Sequence, residues 1–309
     1  MGTSELACAS LQALCREKSF EVITVVSQPD KPKGRDLKVQ FSPVKAVAVA
    51  QGLPVLQPER ARHESFIAQL RALQPELVVV AAYGQILPQA ILDLPPFGCL
   101  NVHASLLPKY RGAAPIAWAI LNGDAASGVT IMKMDAGLDT GPILAQTTTP
   151  IAPTDNARTL HDRLAQLGAE LLVKTIPEFV TGRLTPSPQP AEGASYARKI
   201  TKEDGRIDWS QPARVVWLRV RGLTPWPGAF THFPGAGPPQ LLKIWSAEIE
   251  PESSGQPGTI LRVDPRGILV ACGEQALRIL QLQREGGRRM SVREFLAGHE
   301  LPVGSRLGG

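Results

Sequence analysis

Cysteine is scarce in this chain of 309 residues, with four in all. Cys8, Cys15, Cys99 and Cys272 show neither a CxxC metal spacing nor a disulfide framework. That excludes a small disulfide-stapled scaffold and points to a reduced, cytoplasmic protein. Cys8 and Cys15 are seven apart on a helical pattern, so both are expected to face the core. Long apolar runs are also missing. With none of about 18 residues, no transmembrane helix is expected. The N-terminus lacks a basic-then-apolar signal layout, and Leu6 stands where a myristoylation motif needs Ser or Thr. There is no P-loop, no GxGxxG and no serine elbow. The five histidines show no ligand-like spacing, so no metal site is expected. No internal repeat or low-complexity tract appears.

What remains is an ordinary globular composition, 43% hydrophobic and 20% charged, long enough for two domains. Charge is uneven. Residues 197–309 hold 16 Lys/Arg against 11 Asp/Glu, and the rest of the chain balances. The whole surplus of +5 therefore lies in the last third. That is either a solvated surface or a face for a polyanion.

The first two-thirds alternates strand and helix patterns. Short β-rich runs, VITVVSQ (22–28), ELVVVAAYG (76–84), GCLNVHA (98–104) and GVTIMKM (128–134), are nearly all apolar, as strands covered on both faces must be. Helical patterns fill residues 7–16, 42–51, 64–73 and 113–122. A further helix is read from Leu160, Leu164, Leu167 and Leu171, with Thr154 or Asp155 as caps. This order predicts an α/β, doubly wound, mostly parallel sheet in residues 1–183. LTPSPQPAEGASY then reads as an exposed linker, placed over 184–202. LLKIWSAEI, GTILRVD, GILVACG and ALRILQLQ predict a small β-barrel domain over 203–309.

Ligands of open α/β sheets bind beyond the carboxyl ends of strands. Asn101 and His103 end such a strand and, two apart, share one face. An amide donor beside an imidazole can hold an oxygen that becomes negative. In MDAGLDTGPIL, Asp135 and Asp139 bracket a turn in which Gly137 and Gly141 let the chain double back. Asp139 is placed to reach His103 and fix its orientation. The alternative is a core histidine and a turn-forming aspartate. From the residues alone the inference stops at metal-free group transfer.

NVHASLLPKYRGAAPI followed by GVTIMKMDAGLDTGPIL resembles the folate-dependent formyltransferases. SQPDKPKGRDLKVQFSPVK, VVVAAYGQILP, YARKITKEDGRIDW and RGLTPWPGA extend the likeness over nearly the whole chain. The resemblance implies a Rossmann-like domain followed by an OB-like one. It implies N10-formyltetrahydrofolate as co-substrate and the amine of methionyl initiator tRNA as acceptor, with catalysis by Asn101, His103 and Asp139. It assigns Ser105, Leu106, Leu107 and Pro108 to the folate site. In residues 30–38, Lys31, Lys33, Arg35 and Lys38 face Asp30 and Asp36 in a basic loop, and the resemblance puts Arg35 on the tRNA acceptor end. Arg111 is either an anion contact or a surface arginine, and Trp226 is expected to pack. A monomer that touches no membrane is expected. The alternatives are a formyltransferase for a sugar amine or glycinamide, a formyl-folate hydrolase, or a catalytically impaired tRNA-binding protein.

One departure stands out. In the family a hydrophobic strand leads into a Gly-Thr turn, whereas here Met1 directly precedes Gly2-Thr3-Ser4. The first strand is therefore expected to be missing. Either the start lies too far downstream or the gap is closed another way. Neighbouring backbone groups should then go unpaired.

Overall fold

The computed structural model describes residues 1–33, 38–233, 239–251 and 255–308. Two compact units divide it. One comprises residues 1–115, 126–150 and 161–197; the other comprises 116–125, 151–160 and 198–309.

In the first unit, α1 (Glu5–Arg16) precedes β1 (Val25–Val26), and a short hairpin follows from β2 (Lys31–Lys33) and β3 (Lys38–Gln40). Each parallel step then carries a helix, since parallel strands cannot be joined by a tight turn. Helix α2 (Pro43–Ala50) leads to β4 (Val55–Leu56), α3 (Glu64–Leu73) to β5 (Val78–Val80), and α4 (Gln89–Leu92) to β6 (Cys99–His103). β1 pairs parallel with β4, and β5 with β6. β7 (Arg111–Gly112) lies outside this sheet. Helix α3 occupies the residues its periodicity predicts and buries Phe66, Ile67 and Leu70. Ser42 caps α2, its hydroxyl accepting the Lys45 N–H.

Three features differ from expectation. The sheet is parallel only on one side: β8 (Ala126–Lys133) runs antiparallel to β6, and β9 (Ile143–Pro150), which no apolar run announces, runs antiparallel to β8. The long helix α6 (Ala157–Val180) is capped by Asn156, whose side chain accepts from the N–H groups of Arg158 and Thr159. Leu160, Leu164, Leu172 and Ile176 are its buried face, with Leu167 and Leu171 half-buried. Cys8 and Cys15 are half-buried rather than core, unlike Cys99 and Cys272.

Some of the backbone groups expected to go unpaired are paired by the first two residues. Met1 and Gly2 stand between β1 and β5 as a strand stub, with Gly2 bridged parallel to Ala81. The Gly2 N–H donates to Val26 O at 2.9 Å, and Ala81 N donates to Met1 O at 3.0 Å. Beyond this stub a cavity of about 550 Å³ opens between the two strand edges, lined by Ile23, Val25, Leu77, Val79 and Ile176 among others. Only Val25 and Val26 of residues 22–28 are regular strand.

The two ends of residues 187–197, read as linker, are paired within this unit. Ser187 bridges Ile143, and β10 (Tyr196–Ala197) pairs parallel with β7.

The second unit begins with most of α5 (Pro115–Leu121). Its sheet is antiparallel, in the order β11 (Ala229–Phe233), β12 (Gln240–Glu250), β15 (Ala276–Arg284), β14 (Gly267–Ala271), β13 (Ile260–Asp264), with β16 (Met290–Ser291) on β15. Helices α7 (Ala213–Gly222) and α8 (Val292–Leu296) help close a core that includes Trp209, Val216, Leu242, Ile268, Leu277 and Phe295. The four strand patterns read from the sequence are all strands. Trp226 is 55% exposed, so it does not pack as expected.

Candidate active site

β6 is a central strand buried along its length, and its alternation sends Asn101 and His103 to one face. Both are less than 10% exposed, at 9% and 6%. Buried polar side chains need partners, and here they share one. The Asn101 amide donates to Asp139 Oδ1 at 3.2 Å, and His103 Nδ1 lies 3.7 Å from Asp139 Oδ2. The Gly112 N–H also donates to Asp139 Oδ2, at 2.8 Å. Three residues up to 38 positions apart thus meet around one carboxylate.

His103 is oriented by a group that sequence reading did not find. Its Nε2 lies 2.9 Å from the carbonyl of Tyr110. A carbonyl only accepts, so Nε2 carries a proton, and Nδ1 faces Asp139. Tyr110 takes φ 62°, a left-handed conformation uncommon for a bulky residue. Orientation therefore comes from a backbone carbonyl as well as from Asp139. A carbonyl belongs to every residue type and leaves no mark in a sequence.

The turn that carries Asp139 is built from its flanks. Asp135 Oδ1 accepts from the Gly137 N–H at 3.0 Å and the Thr140 hydroxyl at 2.7 Å, closing the loop. The left-handed residue is Asp139 itself, at φ 52°. Gly141 is needed for space: a Cβ there would lie 1.9 Å from the Lys133 carbonyl. Asp135 is a turn former and Asp139 the member of the site.

The segment after His103 folds inward. Ser105 is fully buried, its hydroxyl donating to Lys109 O at 2.6 Å. Leu107 is buried, with its N–H on Thr130 Oγ1 at 3.1 Å and its carbonyl accepting from Gln146 at 2.9 Å. Leu106 and Pro108 are half-buried. Leu106 presses on Gly128, where a Cβ would sit 2.5 Å from it. Arg111 is bound to Gln189, its Nε and Nη2 donating to Oε1 at 3.1 and 2.7 Å. Arg35 lies outside the described residues. Among the described residues no group of three or more His, Cys, Asp or Glu is placed to hold a metal ion, and no helix is long and apolar enough to cross a membrane.

Comparison with known proteins agrees along the whole chain. Residues 1–176 match the formyl transferase family and residues 199–300 match the formyl transferase C-terminal domain. A protein named methionyl-tRNA formyltransferase from Caldanaerobacter subterraneus subsp. tengcongensis is 51% identical over 309 residues, spanning 99% of this chain and 98% of that one. Its namesake from Trichlorobacter lovleyi is 50% identical over 307 residues, spanning 99% and 95%. Among solved structures, an N-formyltransferase from Helicobacter canadensis, in complex with folinic acid and dTDP-3-aminofucose, superposes with a TM-score of 0.63 at 20% identity. It covers 90% of this chain and 97% of its own, and shares the fold. With both halves matched in order and full-length relatives at about half identity, the chain belongs to the formyl transferase family.

Proposed function

We propose that this enzyme transfers the formyl group of N10-formyltetrahydrofolate to the α-amine of methionyl initiator tRNA. The supporting observation is the shared carboxylate: Asp139 bonds the Asn101 amide and faces His103 Nδ1 at the carboxyl end of a buried strand. Likeness over the full length to proteins named methionyl-tRNA formyltransferase favours the tRNA acceptor over a sugar amine or glycinamide.

Asn101 spends one amide hydrogen on Asp139 and has a second for the formyl oxygen. Protonated His103 supplies positive charge beside it as that oxygen becomes negative on attack by the amine. Asp139 balances the imidazolium and helps carry the proton from the attacking nitrogen to the departing N10. Leu106 and Pro108 offer apolar walls to the folate, while Ser105 and Leu107 support them from within. Residues 1–183 would carry the chemistry and residues 203–309 the tRNA body, with 184–202 connecting them and Arg35 at the acceptor end. A cytoplasmic monomer suits that role.

The test is formyl-methionyl-tRNA formation with purified enzyme. Asn101→Ala and His103→Ala should each lose at least a hundredfold in kcat, about 3 kcal/mol, while remaining folded. Arg35→Ala should raise KM for tRNA more than for the folate. Near wild-type kcat in either of the first two variants would reject their roles. Equal turnover with an amino sugar or glycinamide would reject the acceptor. tRNA affinity should fall steeply with salt, as phosphate contacts require; a flat salt dependence would remove the basic C-terminal residues from binding.

A further inference from the structure

We infer that Gln189 is a positioning residue for Asp139, and that the stretch around it, between the two matched family regions, is part of the catalytic apparatus. The inference rests on the formyl-transfer role proposed above for Asp139.

The Gln189 amide nitrogen donates to two carbonyls on the catalytic turn, those of Asp139 and Gly141, each at 2.8 Å. Its oxygen accepts both bonds from Arg111. Two donor hydrogens and two lone pairs are all the amide has, and all four are used. The orientation is forced. Flipped, the oxygen would face two carbonyls and the NH2 group a guanidinium, repulsive on both sides.

These bonds close a ring. Asp139 Oδ2 holds the Gly112 N–H. Gly112 follows Arg111 in β7, Arg111 holds Gln189, and Gln189 holds the Asp139 backbone. The carboxylate is thus gripped through its side chain at one end and its main chain at the other. Asp139 needs such support because its left-handed φ of 52° is a sparsely populated conformation. The same stretch steadies the opposite wall. Ser195 Oγ accepts from Tyr110 N at 2.9 Å, and Ser195 O accepts from Arg111 N at 2.8 Å. Ala197 O accepts from Ala113 N at 2.8 Å. Tyr110 to Gly112 supply the carbonyl for His103 and the N–H for Asp139, so residues 189–197 brace both sides of the catalytic group.

A neutral amide is the right group for this place. It ties down Arg111 without adding a second carboxylate beside Asp139, and it donates where a carboxylate cannot.

The experiment compares Gln189→Met, which keeps the length and removes all four bonds, with Gln189→Glu, which keeps only the acceptors for Arg111. Both should lower kcat tenfold or more, with KM for folate and tRNA within twofold and an unchanged circular dichroism spectrum. Gln189→Asn should recover part of the rate. On an Asp139→Asn background, read in single turnovers, Gln189→Met should cost less than twofold more, because the group it positions is already disabled. Arg111→Met opens the ring from the other side and should give the same split of kcat from KM, which keeps the test decisive if Gln189→Met is insoluble. Wild-type kcat in Gln189→Met or Gln189→Glu, with Asp139→Asn impaired, overturns the inference alone. So does an equal loss on both backgrounds, which marks a merely structural role. Wild-type kcat in Asp139→Asn overturns the catalytic role of Asp139 and the inference with it.

Discussion

Replacing Thr130 by valine tests how the turn after His103 is held. Thr130 is fully buried on β8, and its hydroxyl is saturated. It accepts from Leu107 N at 3.1 Å and from Gln146 Nε2 at 2.9 Å, and it donates to Ser105 O at 2.7 Å. Valine fills nearly the same volume without polar atoms. The Gln146 amide keeps its bond to Leu107 O. The Leu107 N–H and the Ser105 carbonyl lose their Thr130 partner in a site water does not reach. Each such orphan costs about 1–3 kcal/mol. Burying the added methyl returns about 1 kcal/mol. The net expectation is a loss of about 1–5 kcal/mol, or about 2–20 °C in Tm for a unit of this size. Thr130→Ser keeps the hydroxyl and loses one methyl, costing about 1 kcal/mol. Thermal and urea unfolding of the three proteins reads the difference directly. If the valine variant equals or exceeds the serine variant in stability, the hydroxyl is not what holds the turn.

Two further predictions concern titration. The Arg198 guanidinium, with the Thr201 N–H and hydroxyl, holds the Asp204 carboxyl well below the usual carboxylate range, outweighing its partial burial. Its contribution should be fully present above the ordinary carboxylate pKa of about 4 and be lost as pH falls below it. Because Arg198 is 57% exposed, the effect is small, about 1 kcal/mol. Asp204→Asn should therefore be less stable than wild type at pH 7, and the gap should narrow steadily as pH falls from about 4 towards 2. A gap that persists unchanged at pH 2 would show that charge is not the cause. Burial pushes the Cys99 and Cys272 thiols up to about 12. Both should resist iodoacetamide at pH 8 until the protein unfolds; rapid labelling of either in the native state would contradict its burial.

Patterns that depend on near neighbours were legible in the chain. The helix at 64–73, the pairing of Asn101 and His103 on one strand face, and the Gly/Pro-punctuated strands of the C-terminal half all follow from periodicities of 3.6 or 2. These are properties of a few consecutive residues, and tertiary packing had no reason to override them. The motif strings also carried the family likeness.

Only the folded chain decided the rest. Strand direction is not encoded in apolar content, so the antiparallel run of β8 emerged from its pairing with β6. β9 was invisible because its run from Gln146 to Thr149 is polar, so no apolar pattern announces it. The carbonyl of Tyr110 and the N–H of Gly112 are backbone groups common to many residue types, and their aim depends on φ and ψ. Gln189 sits in a stretch whose Pro, Ser and Gly content reads as linker. Composition reports how easily a segment bends, whereas its partners some 50 positions away are set by where the chain returns.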